Sequence, residues 1–117
     1  MTRSTPGAVH IANDVLADLA GYAALESYGV VGMASPTLAD GVVQLLPRQK
    51  LRKGVKVVSG DDGVSVDLFV VIEHGTKLNE VSHNLADRVR WVLSDTADVS
   101  VKTVEVHVMG VKVRSAK

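Results

Sequence analysis

The residues of this chain with chemistry beyond packing are four histidines, His10, His74, His83 and His107, and a few clustered acids. Imidazoles and carboxylates ligate a metal only where they converge, and they work as acid–base catalysts only in a sheltered cleft. Glu80 and His83 have the Glu-x-x-His spacing of carboxylate-bridged two-metal bundles. Such a site needs a second motif and further carboxylates from other helices, and this motif lies on a helix face turned from the core. A solvated helix face is the simpler reading, with His83 and Asp87 one turn apart and able to share a surface hydrogen bond. Asp61 and Asp62 stand in a turn open to water. Glu26 sits at a helix C-terminus, where negative charge is mildly unfavourable. It either has a specific partner or is a boundary side chain reaching for solvent. The chain has no cysteine, which excludes thiol nucleophiles, disulfides and cysteine-based metal centres. These residues identify no catalytic, cofactor-binding or metal-ligating set.

A second group could bind rather than react. Arg48, Lys50, Arg52, Lys53 and Lys56 form a basic patch near a strand start, as a phosphate-contacting loop would. Gly29-Val30-Val31-Gly32 has GxxG spacing, but it carries no basic residue and follows a helix into an apolar segment, unlike a loop that clamps a nucleic-acid backbone. Gly60 to Gly63 encloses two aspartates, which repel phosphate. No aromatic pair is available to stack bases. Thirteen basic residues balance thirteen acidic ones, so the chain has no global field toward nucleic acid or acidic lipid. A solvated basic loop, or one meeting an acidic partner or lipid headgroups, is the simpler reading of this patch, and a nucleic-acid-binding module using Arg48 to Lys56 is the alternative. Trp91, the only tryptophan, falls on a helix face with Glu80, Asn84 and Asp87, where an exposed indole can anchor an interface.

These side chains need elements to hold them. The chain has 117 residues, 46% of them hydrophobic and only 3% aromatic. That is enough for one core, built from Val, Leu, Ile and Ala. Val64, Val66, Leu68, Val70 and Ile72 alternate with Ser65, Asp67, Phe69, Val71 and Glu73, giving a long strand with one apolar face. Val55 to Ser59 pairs with it through the Gly60-Asp61-Asp62-Gly63 turn. Ala8 to Ile11 and Val30 to Ala34 are short strand candidates. Asp14 to Ser27 is an amphipathic helix that Asn13 or Asp14 can cap, with Gly29 placed to end it in a left-handed conformation. Leu38, Val42 and Leu45 after Ser35-Pro36 read as a short helix or an irregular segment. Thr76 can cap a helix running to about Asp95 whose Leu78, Val81, Leu85, Val89 and Val92 must face the sheet. Thr103 to Met109 is the last strand, and a phase slip between Val101 and Val104 places a bulge, or a separate strand start, near Lys102.

The expected fold is α+β and two-layered, in the order β-α-β-(α)-β-β-α-β. Two main helices pack on one face of a mixed three- to four-stranded sheet. The domain spans 8–111, with 1–7 and 112–117 as flexible tails. The other sheet face would carry Ser65, Asp67, Phe69, Val71, Glu73, Glu105, His107 and Met109. Phe69, Val71 and Met109 make it apolar enough for an oligomer or partner interface. They could equally be scattered surface apolars or lie under a terminus.

Three pieces of sequence carry a resemblance. They are Gly7 to Val15 with Ala20 to Glu26 and Gly29 to Met33; Gly54 to Val57 with Val64 to Gly75; and Glu80-Val81, Val89 to Thr96 and Val104 to Val111. In order and spacing, over about Gly7 to Val111, this resembles the alkaline shock protein family, the envelope stress response family of Gram-positive bacteria. The resemblance implies a non-enzymatic bacterial protein of cell-envelope homeostasis and stress, without cofactors. It implies a cytoplasmic protein that self-associates as a homo-oligomer or is recruited to the membrane by a membrane-anchored protein partner. It supplies no catalytic residues. The basic Arg48 to Lys53 connector departs from the family pattern, as does the lack of long charged terminal extensions. No apolar run reaches the length of a membrane span, the longest being Leu68 to Ile72, and the opening residues lack the apolar run of a signal peptide.

Overall fold

The computed structural model describes residues 12–36 and 43–113. The strand candidate Ala8 to Ile11 and the positions of Leu38 and Val42 lie outside them. Helix α1 (Asn13–Leu25) leads into strand β1 (Val30–Met33), and a short 3-10 segment (Arg48–Gly54) precedes β2 (Val55–Gly60). Then come β3 (Gly63–Glu73), α2 (Leu78–Thr96) and β4 (Val101–Lys112).

Strand β3 is the axis of the sheet. Along one edge it pairs in parallel with β4, from Val64↔Val101 to Glu73↔Lys112. Two antiparallel strands share its other edge, β2 opposite residues 63–68 and β1 opposite residues 70–72. Parallel pairing needs a crossover, and α2 supplies it. The expected mixed sheet and α+β class hold. The Gly60–Gly63 turn closes the β2–β3 hairpin as expected.

The core lies between the Val64-to-Ile72 face of β3 and both helices. Helix α2 contributes Val81, Leu85, Val89 and Leu93, all 0% exposed. Helix α1 contributes Leu16 and a row of alanines, Ala17, Ala20, Ala23 and Ala24. Small side chains let α1 approach closely, and Leu16 and the α2 leucines fill the volume between. Truncating a buried leucine here to alanine would cost about 2–5 kcal/mol. Helix α1 ends at Leu25 with Glu26 as its C-cap, short of the expected Ser27, and Gly29 instead turns the chain into β1 at φ +84°, where a Cβ would lie 2.5 Å from Val81 Cγ2. Both the left-handed backbone and the contact with α2 demand glycine.

Several local expectations are corrected. Neither Asn13 nor Asp14 caps α1, whose N-cap is Ala12. Asn13 instead accepts a hydrogen bond from Ser59 Oγ (2.8 Å), tying the helix start to β2. Thr76 does not cap α2 either; its hydroxyl donates to Glu73 O (2.7 Å), closing the turn out of β3. Leu78 is 50% exposed, because as the first residue of α2 it extends past the end of the core. Leu45 is not helical: it bridges Ala34, and Leu46 N–H donates to Met33 O (2.8 Å).

The bulge expected at Lys102 is present, since Val64 pairs with Val101 and Ser65 with Thr103. A second bulge occurs at Met109, between Val70↔Val108 and Val71↔Gly110. The last strand therefore runs to Lys112, whose carbonyl accepts from His74 N–H (2.8 Å).

Candidate functional site

The sheet face opposite the helices is built by the other half of the β3 alternation. In register across β3 and β4, Asp67 stands beside Glu105 and Phe69 beside His107. The Phe69 and His107 rings stack, with centroids 4.7 Å apart and planes 11° from parallel. That stack fixes the imidazole so that Nε2 meets Asp67 Oδ1 at 2.9 Å, with Glu105 Oε1 3.9 Å away. One donor atom from each of Asp67, Glu105 and His107 lies within 4.8 Å of the others. The alternation placed all three on this face, but their convergence depends on the strand register. The available signal was the period-two pair Glu105 and His107.

The four interface candidates separate. Trp91 is 63% exposed on the outside of α2. Phe69 is half-buried under His107. Met109 is half-buried at the second bulge, and Gly110 rather than Met109 stands in register beside Val71. Val71 is 0% exposed and offers nothing to a partner, although it is not part of the main core. Its register neighbours on both sides are glycines, Gly32 and Gly110. A Cβ on Gly32 would lie 2.9 Å from Leu45, and one on Gly110 would lie 3.5 Å from Val43. The two bare glycines thus make room for residues 43–45 to cross this end of the sheet. For Val71, burial prevails over a place in an exposed interface, and residues 43–45 run over the glycines on either side of it.

The basic patch is partly committed within the chain. Arg52 Nε and Nη2 donate to Asp18 Oδ1 and Oδ2 at 3.1 and 2.8 Å, and Nη1 lies 3.0 Å from Asp14. The hydrogen bonds that Asp18 accepts, and then its charge, raise the Arg52 guanidinium above its already high ordinary value. Arg48 lies over the Tyr22 ring, 5.2 Å from its centroid, a cation–π contact. Both arginines therefore hold the 3-10 segment against α1. Lys50, Lys53 and Lys56 are exposed.

The remaining candidates do not converge. His83 pairs with Asp87 (3.2 Å) and Glu80 with Lys77 (4.0 Å), so the Glu-x-x-His pair is a solvated helix face. Asp62 faces Lys102 at 3.5 Å. Glu26 has a specific partner, Arg88, whose Nη2 donates at 2.7 Å and links α1 to α2. His10 lies outside the described residues. Among the described residues, no helix is long and apolar enough to cross a membrane.

The family model described as having a cell envelope-related function matches residues 1–113, that of alkaline shock protein 23. The chain belongs to the alkaline shock protein 23 family. Its family relatives include the uncharacterized protein YloU of Bacillus subtilis, 35% identical over 95% of this chain and 93% of that protein. The uncharacterized protein Spy1614 of Streptococcus pyogenes is 39% identical over 92% of this chain and 89% of that protein. Among solved structures, a zinc form of the MamM CTD matches with a TM-score of 0.50 at 10% identity, covering 90% of this chain and 89% of that one. That likeness is one of fold. The family places the chain among proteins of cell envelope-related function.

Proposed function

We propose that this member of the alkaline shock protein 23 family is a non-enzymatic interaction protein of cell-envelope homeostasis and stress. It acts from the cytoplasm, by self-association as a homo-oligomer or by binding a membrane-anchored protein. The observation that carries the reading is Trp91. A tryptophan 63% exposed on the outer side of α2 leaves a large apolar surface in water, and such residues dominate binding energy when a partner covers them. Phe69 and Met109, on the opposite side of the sheet, offer a second and smaller contact. Val71 no longer belongs with them.

The test is size-exclusion chromatography with light scattering, together with capture of partners from the protein's own cells. It compares the wild type with Trp91→Ala and Phe69→Asp. The wild type is expected to run above monomer mass or to retain a defined membrane protein, and Trp91→Ala to lose that property. If all three run as the same monomer and retain nothing, the reading fails.

A further inference from the structure

We propose that Asp67, Glu105 and His107 form a binding site for a divalent transition-metal ion of the zinc class, a role that goes beyond the interaction function and does not rest on it. The donor set is one imidazole nitrogen and two carboxylates. Zinc accepts this mixture at about 2.0–2.2 Å per bond. Calcium favours six to eight oxygen ligands, and magnesium retains its waters and avoids imidazole.

The spacing suits the ion. Tetrahedral donors at such bond lengths stand about 3.3–3.5 Å apart. His107 Nε2 is 2.9 Å from Asp67 Oδ1 and 3.9 Å from Glu105 Oε1, so the observed distances bracket the required one. The third separation, between the Asp67 and Glu105 oxygens, is within 4.8 Å, and rotation of the two carboxylates would have to close it. The backbone beneath does not move, because Asp67 and Glu105 are register partners on paired strands and β3 is the interior strand of the sheet. The Phe69 stack fixes the third ligand, the kind of support that orients metal-binding histidines.

An Asp–His hydrogen bond alone would account for two of the three groups. It does not account for Glu105, which among the described residues is ion-paired only with His107. Two carboxylates gathered at one imidazole concentrate oxygen and nitrogen donors of the kind that a divalent cation takes. Lys56, the register partner of Asp67 on β2, is the cation the metal must tolerate. Three protein ligands leave a fourth position for water, the arrangement of an open site rather than a closed structural one.

The experiment is calorimetric titration of the full chain with zinc, with cobalt substituted to read geometry by its visible absorption. One ion per chain is expected. Asp67→Asn, Glu105→Gln and His107→Gln should each weaken binding by more than about 100-fold, the upper end of the loss typical of an outer-shell group. His83→Gln, at the exposed His83–Asp87 pair, should leave it unchanged, and Lys56→Ala should tighten it. Circular dichroism confirms that each variant folds. No stoichiometric binding, wild-type affinity in the three ligand variants, or loss in His83→Gln would overturn the proposal. The assembly measurement is run in chelator, so a failure there and a failure here are separate results.

Discussion

At the scale of single residues, position rather than chemical type decides what a side chain does. Glu26 contradicts the helix dipole at the end of α1, yet it reaches Arg88 at 2.7 Å. Both partners are largely exposed, so the pair is worth only about 0–1 kcal/mol. Its value is geometric, since it joins the two helices at one end. Gly29 is the opposite case, a residue with no side chain whose replacement is costly. Gly29→Ala forces a Cβ into a left-handed backbone at φ +84° and toward Val81 Cγ2 at 2.5 Å. A backbone in that region costs about 1–3 kcal/mol, and displacing Val81 from a tight core adds to it. Urea unfolding is therefore expected to show a loss of about 2–4 kcal/mol for Gly29→Ala. Gly75→Ala is the comparison. Its φ is also positive, +93°, but nothing lies within 4 Å of a Cβ there, so it should lose only the backbone part. Equal losses at the two positions would show that the contact with Val81 contributes nothing.

Among the elements, those read most directly from the sequence are those whose periodicity is set by a single buried face. The alternation over Val64 to Ile72 gives β3, and the two-glycine turn gives the hairpin. Val81, Leu85 and Val89 give α2. The step of three from Val101 to Val104 marks the bulge at Lys102. The same step recurs from Val108 to Val111 and marks the bulge at Met109, a signal present but unread. Other features lay beyond periodicity. Period two assigns Val71 to a face but cannot say that residues 43–45 cross that face. Leu45 has helical spacing from Leu38 and Val42, while its structural partner is Ala34, a backbone pairing that spacing does not encode. The convergence of Asp67, Glu105 and His107 needs the parallel register of β3 with β4, which α2 imposes from outside both strands. The 3-10 segment is similar, since its composition reads as a solvated basic loop. Arg52 instead binds Asp18 and Asp14, and Arg48 covers Tyr22. In Arg52→Ala, amide exchange is expected to quicken in residues 48–53 while β3 and α2 keep their protection. Unchanged exchange in 48–53 would mean that Leu51, buried against α1, holds the segment alone.

For the whole molecule, charge and surface chemistry separate the two classes of function that the sequence left open. Nucleic-acid binding rests on phosphate neutralisation and scales with the number of cations delivered to the backbone. This chain has no net charge. Of its five clustered cations, the two arginines best suited to phosphate are engaged with α1, leaving Lys50, Lys53 and Lys56. Three lysines support weak, salt-sensitive contact at most. Fluorescence anisotropy with labelled single- and double-stranded RNA and DNA should therefore show no retention at near-physiological salt. Any signal at low salt should vanish on Lys50→Glu with Lys53→Glu. The same double variant should leave self-association intact, because the surfaces assigned to it, at Trp91 and at Phe69 with Met109, contain none of these lysines. Binding that survives physiological salt and is lost with the lysines would move the function to nucleic acid. Loss of assembly in the double variant, with nucleic-acid binding absent, would instead place the basic segment inside the protein interface. The expected result, assembly lost with Trp91 and indifferent to the lysines, is what a neutral protein recognising another protein through buried apolar area should give.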